Sequence, residues 1–348
     1  MRAVKFLVFY FIACALLLNK VSADTCPDKV FFTGAALEGN PVTTDMLFAA
    51  EKQMGIKPGI ILFFMQWAPD DNVLDVDFPC ESLNAIRNFN AVPCLSWEPM
   101  YYKNGAEIPV YSQVILMGVY DSYIRAYARA AKKWGHPFII RFAHEMNLGR
   151  YRWGNLTGSY IPETPALYAK IYRRVVDIFK KEGADNVLWA FCPNVDSVPN
   201  TKDDASGDWN KIKNYYPGDE YVDILGLDGY NWGVTQTKEK NGWDSSWRSF
   251  SNLFETPYNE LKILSASKPV FVFETASSCA GGDKIQWIKD AFTSARKMGF
   301  SGIIWFEANK EIDWRVNCHG NFNLNLGGIT PESGNPQEWI KGIKNEKR

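Results

Sequence analysis

Phe138-Ile139-Ile140-Arg141-Phe142 is an apolar run broken by a single arginine, and it gives way to Ala143-His144-Glu145-Met146-Asn147, where polar groups begin. Before it, Asp121–Trp134 carries apolar and aromatic residues at helical spacing. After it, Pro165–Lys181 reads as a second helix, with Pro165 in its first turn and Gly183 just past its end. A short strand that is continuously apolar, rather than alternating, must be covered on both faces. That is the condition of a parallel strand between helices.

The same unit recurs along the whole chain. Strands are expected at Val30–Thr33, Gly59–Phe64, Ala91–Trp97, Phe138–Phe142, Val187–Phe191, Val222–Leu227, Val270–Phe273 and Gly302–Phe306. Helices are expected at Thr44–Met54 and, before the stop at Gly299, at Asp283–Met298. Eight strand–helix units without a linker or repeat point to a single closed (β/α)8 TIM barrel of the α/β class. An open doubly wound sheet is the competing architecture, but no strand is followed by a glycine-rich phosphate loop. In a barrel, chemistry gathers where strands end at the C-terminal face.

The first residues are expected to be removed. Arg2 and Lys5 precede the apolar run Phe6 to Leu18, and Val21-Ser22-Ala23 closes it with small residues, so residues 1–23 read as a secretory signal peptide and 24–348 as the catalytic barrel. The apolar run is shorter than the roughly 20 residues a spanning helix needs. Cleavage takes three of the 38 basic residues and no acidic one, so the formal charge moves from −1 to −4. Such a chain has no electrostatic footprint for nucleic acid or an anionic membrane. The mature protein is expected to be secreted, extracellular and monomeric.

Six cysteines follow the signal: Cys26, Cys80, Cys94, Cys192, Cys279 and Cys318. An exported chain can use them in up to three disulfides, with 15 possible connectivities. Cys279 and Cys318 fall in neighbouring loops and are the favoured pair, while Cys94 and Cys192 lie on strands and could equally be buried thiols. One glycosylation sequon, Asn155-Leu156-Thr157, is present.

Two carboxylates stand where strands run out at the catalytic face: Glu145 after the fourth strand and Glu274 in Phe271-Val272-Phe273-Glu274-Thr275 at the end of the seventh. One such glutamate alone would read as a structural acid. Two across one barrel mouth can flank a glycosidic bond, and in retaining enzymes they lie roughly 5–5.5 Å apart, one attacking the sugar while the other protonates the leaving oxygen. A metalloprotease would need a second histidine four residues after His144, where Leu148 stands, and the chain has only three histidines. No G-x-S-x-G nucleophile elbow is present.

The segment Arg141-Phe142-Ala143-His144-Glu145-Met146-Asn147 resembles the strand-four signature of glycoside hydrolase family 26, and Trp305 to Arg315 is similar to that family's strand-eight pattern. The resemblance covers nearly all of the mature chain. It implies a barrel, a retaining double displacement, no cofactor, and a β-glycan as partner. Most members are endo-β-1,4-mannanases; mixed-linkage β-glucanases and β-1,3-xylanases also occur. It also implies Glu145 as acid/base, Glu274 as nucleophile, His144 before the acid/base, and Tyr230 beside the nucleophile. Trp153 and Trp305 match sugar-site aromatics. Leu148 before Gly149 departs from the family's usual glycine after the asparagine, which puts the shape of the following loop, and so Trp153, in doubt.

Aromatics are 15% of the chain, and their positions carry more than their number. Trp67, Trp97, Trp232 and Trp305 fall at strand ends. Of these, Trp305 is expected to floor the central subsite and Trp97 to line the sugar site. Trp134, Trp189 and Trp287 read as core. Arg141, one strand pitch below Glu145, is counted among the substrate-binding residues and is expected to hold a carboxylate's charge, with an internal barrel ion pair as the alternative. The function expected is that of a secreted endo-β-1,4-mannanase, with a β-1,3-1,4-glucanase as alternative.

Overall fold

The computed structural model describes residues 30–69, 76–155, 160–202, 204–317 and 334–345. The expected signal peptide, Cys26 and Cys318 lie outside them. Among the described residues ten strands occur in chain order: β1 (Phe32–Ala36), β2 (Ile60–Gln66), β3 (Val92–Glu98), β4 (Met100–Lys103), β5 (Ala106–Pro109), β6 (Phe138–Phe142), β7 (Val187–Phe191), β8 (Ile224–Asn231), β9 (Val270–Ser277) and β10 (Gly302–Phe306). Eight of them close in the order β1-β10-β9-β8-β7-β6-β3-β2, all parallel, with β1 bonded to both β2 and β10. That closure excludes the open doubly wound sheet.

The apolar runs behave as their lack of alternation demands. Every residue of β1, β3, β6, β7, β9 and β10 is buried. The helices begin and end at the expected punctuation. Thr43 caps Thr44–Met54 by accepting from the Met46 amide, and Asp283 caps Lys284–Met298 by accepting from Gln286. Gly55, Gly135, Gly183 and Gly299 close four helices in the left-handed conformation. A last helix, Pro336–Asn345, seals the N-terminal end of the barrel. Its Trp339 lies 4.9 Å from the Phe32 ring and 5.3 Å from that of Phe271.

Two elements depart from expectation. The hairpin β4–β5 rises from the end of β3, and its turn is Asn104-Gly105, both at positive φ. That dipeptide is a strong hairpin signal. The helix Phe250–Leu264 carries Pro257 inside it, which hides it from a reading that treats proline as a stop. Among the described residues, no helix is long and apolar enough to cross a membrane.

Candidate active site

Side chains on a barrel strand alternate between the interior and the helix layer. Arg141 points inward and is fully buried. Its Nε and Nη2 donate to Ser96 Oγ at 2.8 and 2.6 Å, Nη1 meets Asp228, and Nη2 meets Glu274. Burial opposes its charge, but Asp228 and Glu274 outweigh that and hold it protonated. Both roles considered for Arg141 are therefore filled by one side chain. Being wholly enclosed beneath the carboxylates, it is not among the groups that could touch a substrate, which corrects that part of the expectation.

Glu274 sits between two donors. Arg141 grips Oε1, and the Tyr230 hydroxyl donates to Oε2 at 2.6 Å. Asp228, two residues before Tyr230 on the same face of β8, is fully buried, and burial pushes its carboxyl well above the usual range against the pull of Arg141. The Cys192 thiol donates to Asp228 Oδ1 at 3.2 Å.

Glu145 reaches the mouth through an unusual turn of backbone. Ala143 and Glu145 have φ of 50° and 51°, a region that costs roughly 1–2 kcal/mol for a side-chain-bearing residue. The turn is held by Ala143 N donating to Trp97 O at 3.1 Å and Glu145 N donating to Cys192 O at 2.8 Å. Asn194 Nδ2 then donates to Glu145 Oε1 at 2.5 Å. Asn194 is itself fixed by Asn147, which accepts from its amide and donates to its carbonyl, both at 2.8 Å. The terminal asparagine of the strand-four motif thus positions the donor to its glutamate. Burial, followed by the charge of Glu274, pushes the Glu145 carboxyl up to about 7.

Taken together, one glutamate is gripped by a guanidinium and a phenol hydroxyl, and a second is kept protonatable near neutrality. This is the division of labour that a nucleophile and an acid/base require. His144, which precedes Glu145, is buried; burial and then Arg141 hold its imidazole well below the usual range, so it is neutral. His144, Asp228 and Glu274 each offer a ligand atom within 4.8 Å of the others. The guanidinium of Arg141 already lies against both carboxylates, so a divalent ion there would face a fixed positive charge. A third acid at the mouth, Glu98, accepts from Gln66 at 2.5 Å, and burial raises it to about 7.

The aromatic expectations fare unevenly. Tyr230 is at the site. Trp153 is buried behind His144, donating to its carbonyl at 2.6 Å and stacking on Tyr151 at 4.6 Å, and both residues line the open cleft of about 210 Å³ beside β4–β5. Trp97 and Trp305 are overturned by strand parity. Trp97 points to the helix layer, 4.5 Å from Tyr127 and 4.9 Å from Trp67. Trp305 also points outward, toward Trp287, while its neighbour Phe306 faces the mouth near Tyr230 and Phe64. Trp314, on the loop after β10, stands where Trp305 was expected, 4.9 Å from Tyr230. The inward residues missed by sequence reasoning, Asp228 and Asn194, had signals: two-residue spacing from Tyr230, and the end of a strand.

Cys80, Cys94 and Cys192 are free thiols, the last two buried, so three bridges are not possible. Cys279 is disulfide-bonded, and its expected partner Cys318 lies outside the described residues. Asn155 of the sequon is 1% exposed, with Oδ1 accepting from Thr164 at 3.3 Å.

Paired buried glutamates at the C-terminal mouth of a closed barrel, one gripped by Arg141 and Tyr230 and the other with its carboxyl pushed up to about 7, are the arrangement of a (β/α)8 glycoside hydrolase. Residues 112–255 match the profile of glycosyl hydrolase family 26. The chain is 34% identical over 269 residues to Endoglucanase H of Acetivibrio thermocellus, covering 77% of this chain and 27% of that protein. It is 29% identical over 209 residues to a mannan endo-1,4-β-mannosidase of Bacillus subtilis strain 168, covering 56% and 47%. The solved structure of the Bacillus subtilis mannanase BCman superposes over 86% of this chain and 85% of that one, with a TM-score of 0.58 at 18% identity. The likeness to glycoside hydrolase family 26 implied by the strand-four motif is thus found in profile and curated relatives, with the fold in agreement. The chain spans between about a quarter and a half of the length of these two curated relatives.

Proposed function

We propose that this chain is a secreted, retaining endo-β-1,4-mannanase that cleaves mannan and glucomannan. The observation that carries this is Glu274, gripped by Arg141 and Tyr230, beside a Glu145 whose carboxyl titrates near 7. Glu274 attacks the anomeric carbon while Glu145 gives its proton to the leaving oxygen. The Glu145 carboxylate then takes a proton from water, which hydrolyses the glycosyl-enzyme. His144 and Tyr230 border the sugar at the point of cleavage, with Tyr151 and Trp153 beyond them. The polysaccharide is the partner, a monomer suffices, and a Cys279–Cys318 bridge suits export.

A second reading, hydrolysis of β-1,3-1,4-glucan, is favoured by the relative matched over most of the chain, which is named an endoglucanase. Because this chain spans 27% of that relative, the named activity need not reside in the matched part. The test is to incubate the protein with glucomannan, galactomannan, lichenan and β-1,3-xylan and analyse the products. Manno-oligosaccharides released first in the β configuration support the proposal. Strong cleavage of lichenan with none of mannan replaces it by the second reading, and an α-configured first product removes the mechanism.

A further inference from the structure

Four aromatic rings run in an unbroken row from the nucleophile to solvent. Tyr230, which donates to Glu274, lies 4.9 Å from Trp314; Trp314 lies 4.8 Å from Trp232; and Trp232 meets Trp243 edge-on at 5.8 Å. The first two partners of Tyr230 are wholly or partly buried, whereas Trp243 is 45% exposed, with Val234 on the same loop at 57%. Loops usually keep large apolar rings covered, and an exposed patch continuous with a binding mouth marks a contact surface.

The loop that displays Trp243, residues 232–249, is braced rather than slack. Gln236 and Ser245 exchange hydrogen bonds at 3.0 and 3.1 Å, and Asp244 accepts from the Lys238 amide at 2.7 Å. Gly233, at φ +57°, lies so close to the following loop that a Cβ there would stand 1.8 Å from Ala280 O. Trp247 packs over Gly282, where a Cβ would stand 2.5 Å from its ring. Two loops, after β8 and β9, are therefore interlocked under a tryptophan that the fold leaves in water. Holding a ring rigidly before contact reduces the ordering cost of binding.

We infer that Trp243 is an outer sugar-binding platform, stacking its ring on a pyranose unit of the polysaccharide several units from the cleaved bond, on the nucleophile side of the mouth. A large flat ring with a polar edge suits the apolar C–H face of a sugar and needs no charge. This inference rests on the β-glycan reading above. β8, which leads into the Trp243 loop, lies three strands from β3 around the barrel, so the platform stands across the mouth from the cleft beside β4–β5. A polymer spanning both would cross the two glutamates.

The test uses the full chain carrying Glu274→Gln, which binds without turning over, in gels containing glucomannan or lichenan. Retardation should weaken roughly tenfold on adding Trp243→Ala, the scale of one well-made contact. In the active background, the ratio of kcat/KM on polymer to kcat/KM on a short aryl glycoside should fall by a similar factor, through KM. Ile263→Ser, which removes an apolar side chain 84% exposed on an outer helix, should change neither. Unchanged retardation and an unchanged ratio in Trp243→Ala overturn the platform alone. Failure of the Glu274→Gln chain to bind any β-glycan overturns the functional reading with it.

Discussion

The hydroxyl of Tyr230 donates to Glu274 Oε2 at 2.6 Å while Arg141 holds the other oxygen, so both oxygens of one carboxylate are engaged, from β8 and β6. A hydrogen bond to a charged group contributes about 1.5–3 kcal/mol. Tyr230→Phe should lower kcat by roughly ten- to a hundredfold, with little change in thermal midpoint. Steady-state kinetics beside a melting curve measure this; an unaltered kcat would mean that Arg141 alone orients the nucleophile.

The two glutamates are distinguishable by what rescues them. Glu274→Ala should abolish turnover, and azide should restore it on an activated aryl glycoside to give an α-glycosyl azide. Glu145→Ala should keep cleaving that substrate and, with azide, yield the β-glycosyl azide, because azide replaces the water that the base would activate. The opposite pair of anomers would exchange the two roles.

The pH profile follows from Glu145. As the proton donor it must carry its proton, so kcat/KM should fall as pH rises through about 7. The Asn194 hydrogen bond lowers its pKa, so Asn194→Ala should move that limb upward. Stability shares the sign. Between the ordinary value of 4.5 and about 7 the folded chain keeps a proton that the unfolded chain has lost, and this contribution disappears as pH rises through that window. Glu145→Gln should therefore gain in melting temperature over wild type between pH 5 and pH 8. A constant difference across that range would contradict the raised carboxyl.

Arg141 compensates two buried carboxylates at once. Arg141→Met should cost about 3–5 kcal/mol of unfolding free energy, as removal of one member of a buried ionic cluster does, together with activity. Denaturant unfolding at pH 7 gives the first figure. A destabilisation under about 1 kcal/mol would mean that removing Arg141 leaves no uncompensated charge inside the barrel.

The fold was largely legible because parallel strands buried on both faces leave continuous apolar runs, and four of the helices carry glycine stops. The two glutamates were legible because a barrel presents strand ends. What was not legible was the face. Trp97 and Trp305 are at the right height and on the wrong side, since parity has to be counted from a residue known to point inward, and Arg141 was the nearest such reference. Trp97→Phe and Trp305→Phe should accordingly shift melting temperature and leave KM for polysaccharide unchanged; a raised KM would restore them to the sugar site. The ring that does reach Tyr230, Trp314, sits in a loop, where no period announces it.

Cys94 on β3 and Cys192 just past the end of β7 are free thiols inside the barrel, and burial raises both far above their usual range. A thiol reagent can reach them only when the strands part, so their labelling rate would act as a clock for opening of the barrel itself, separate from fraying at Cys80 on the surface.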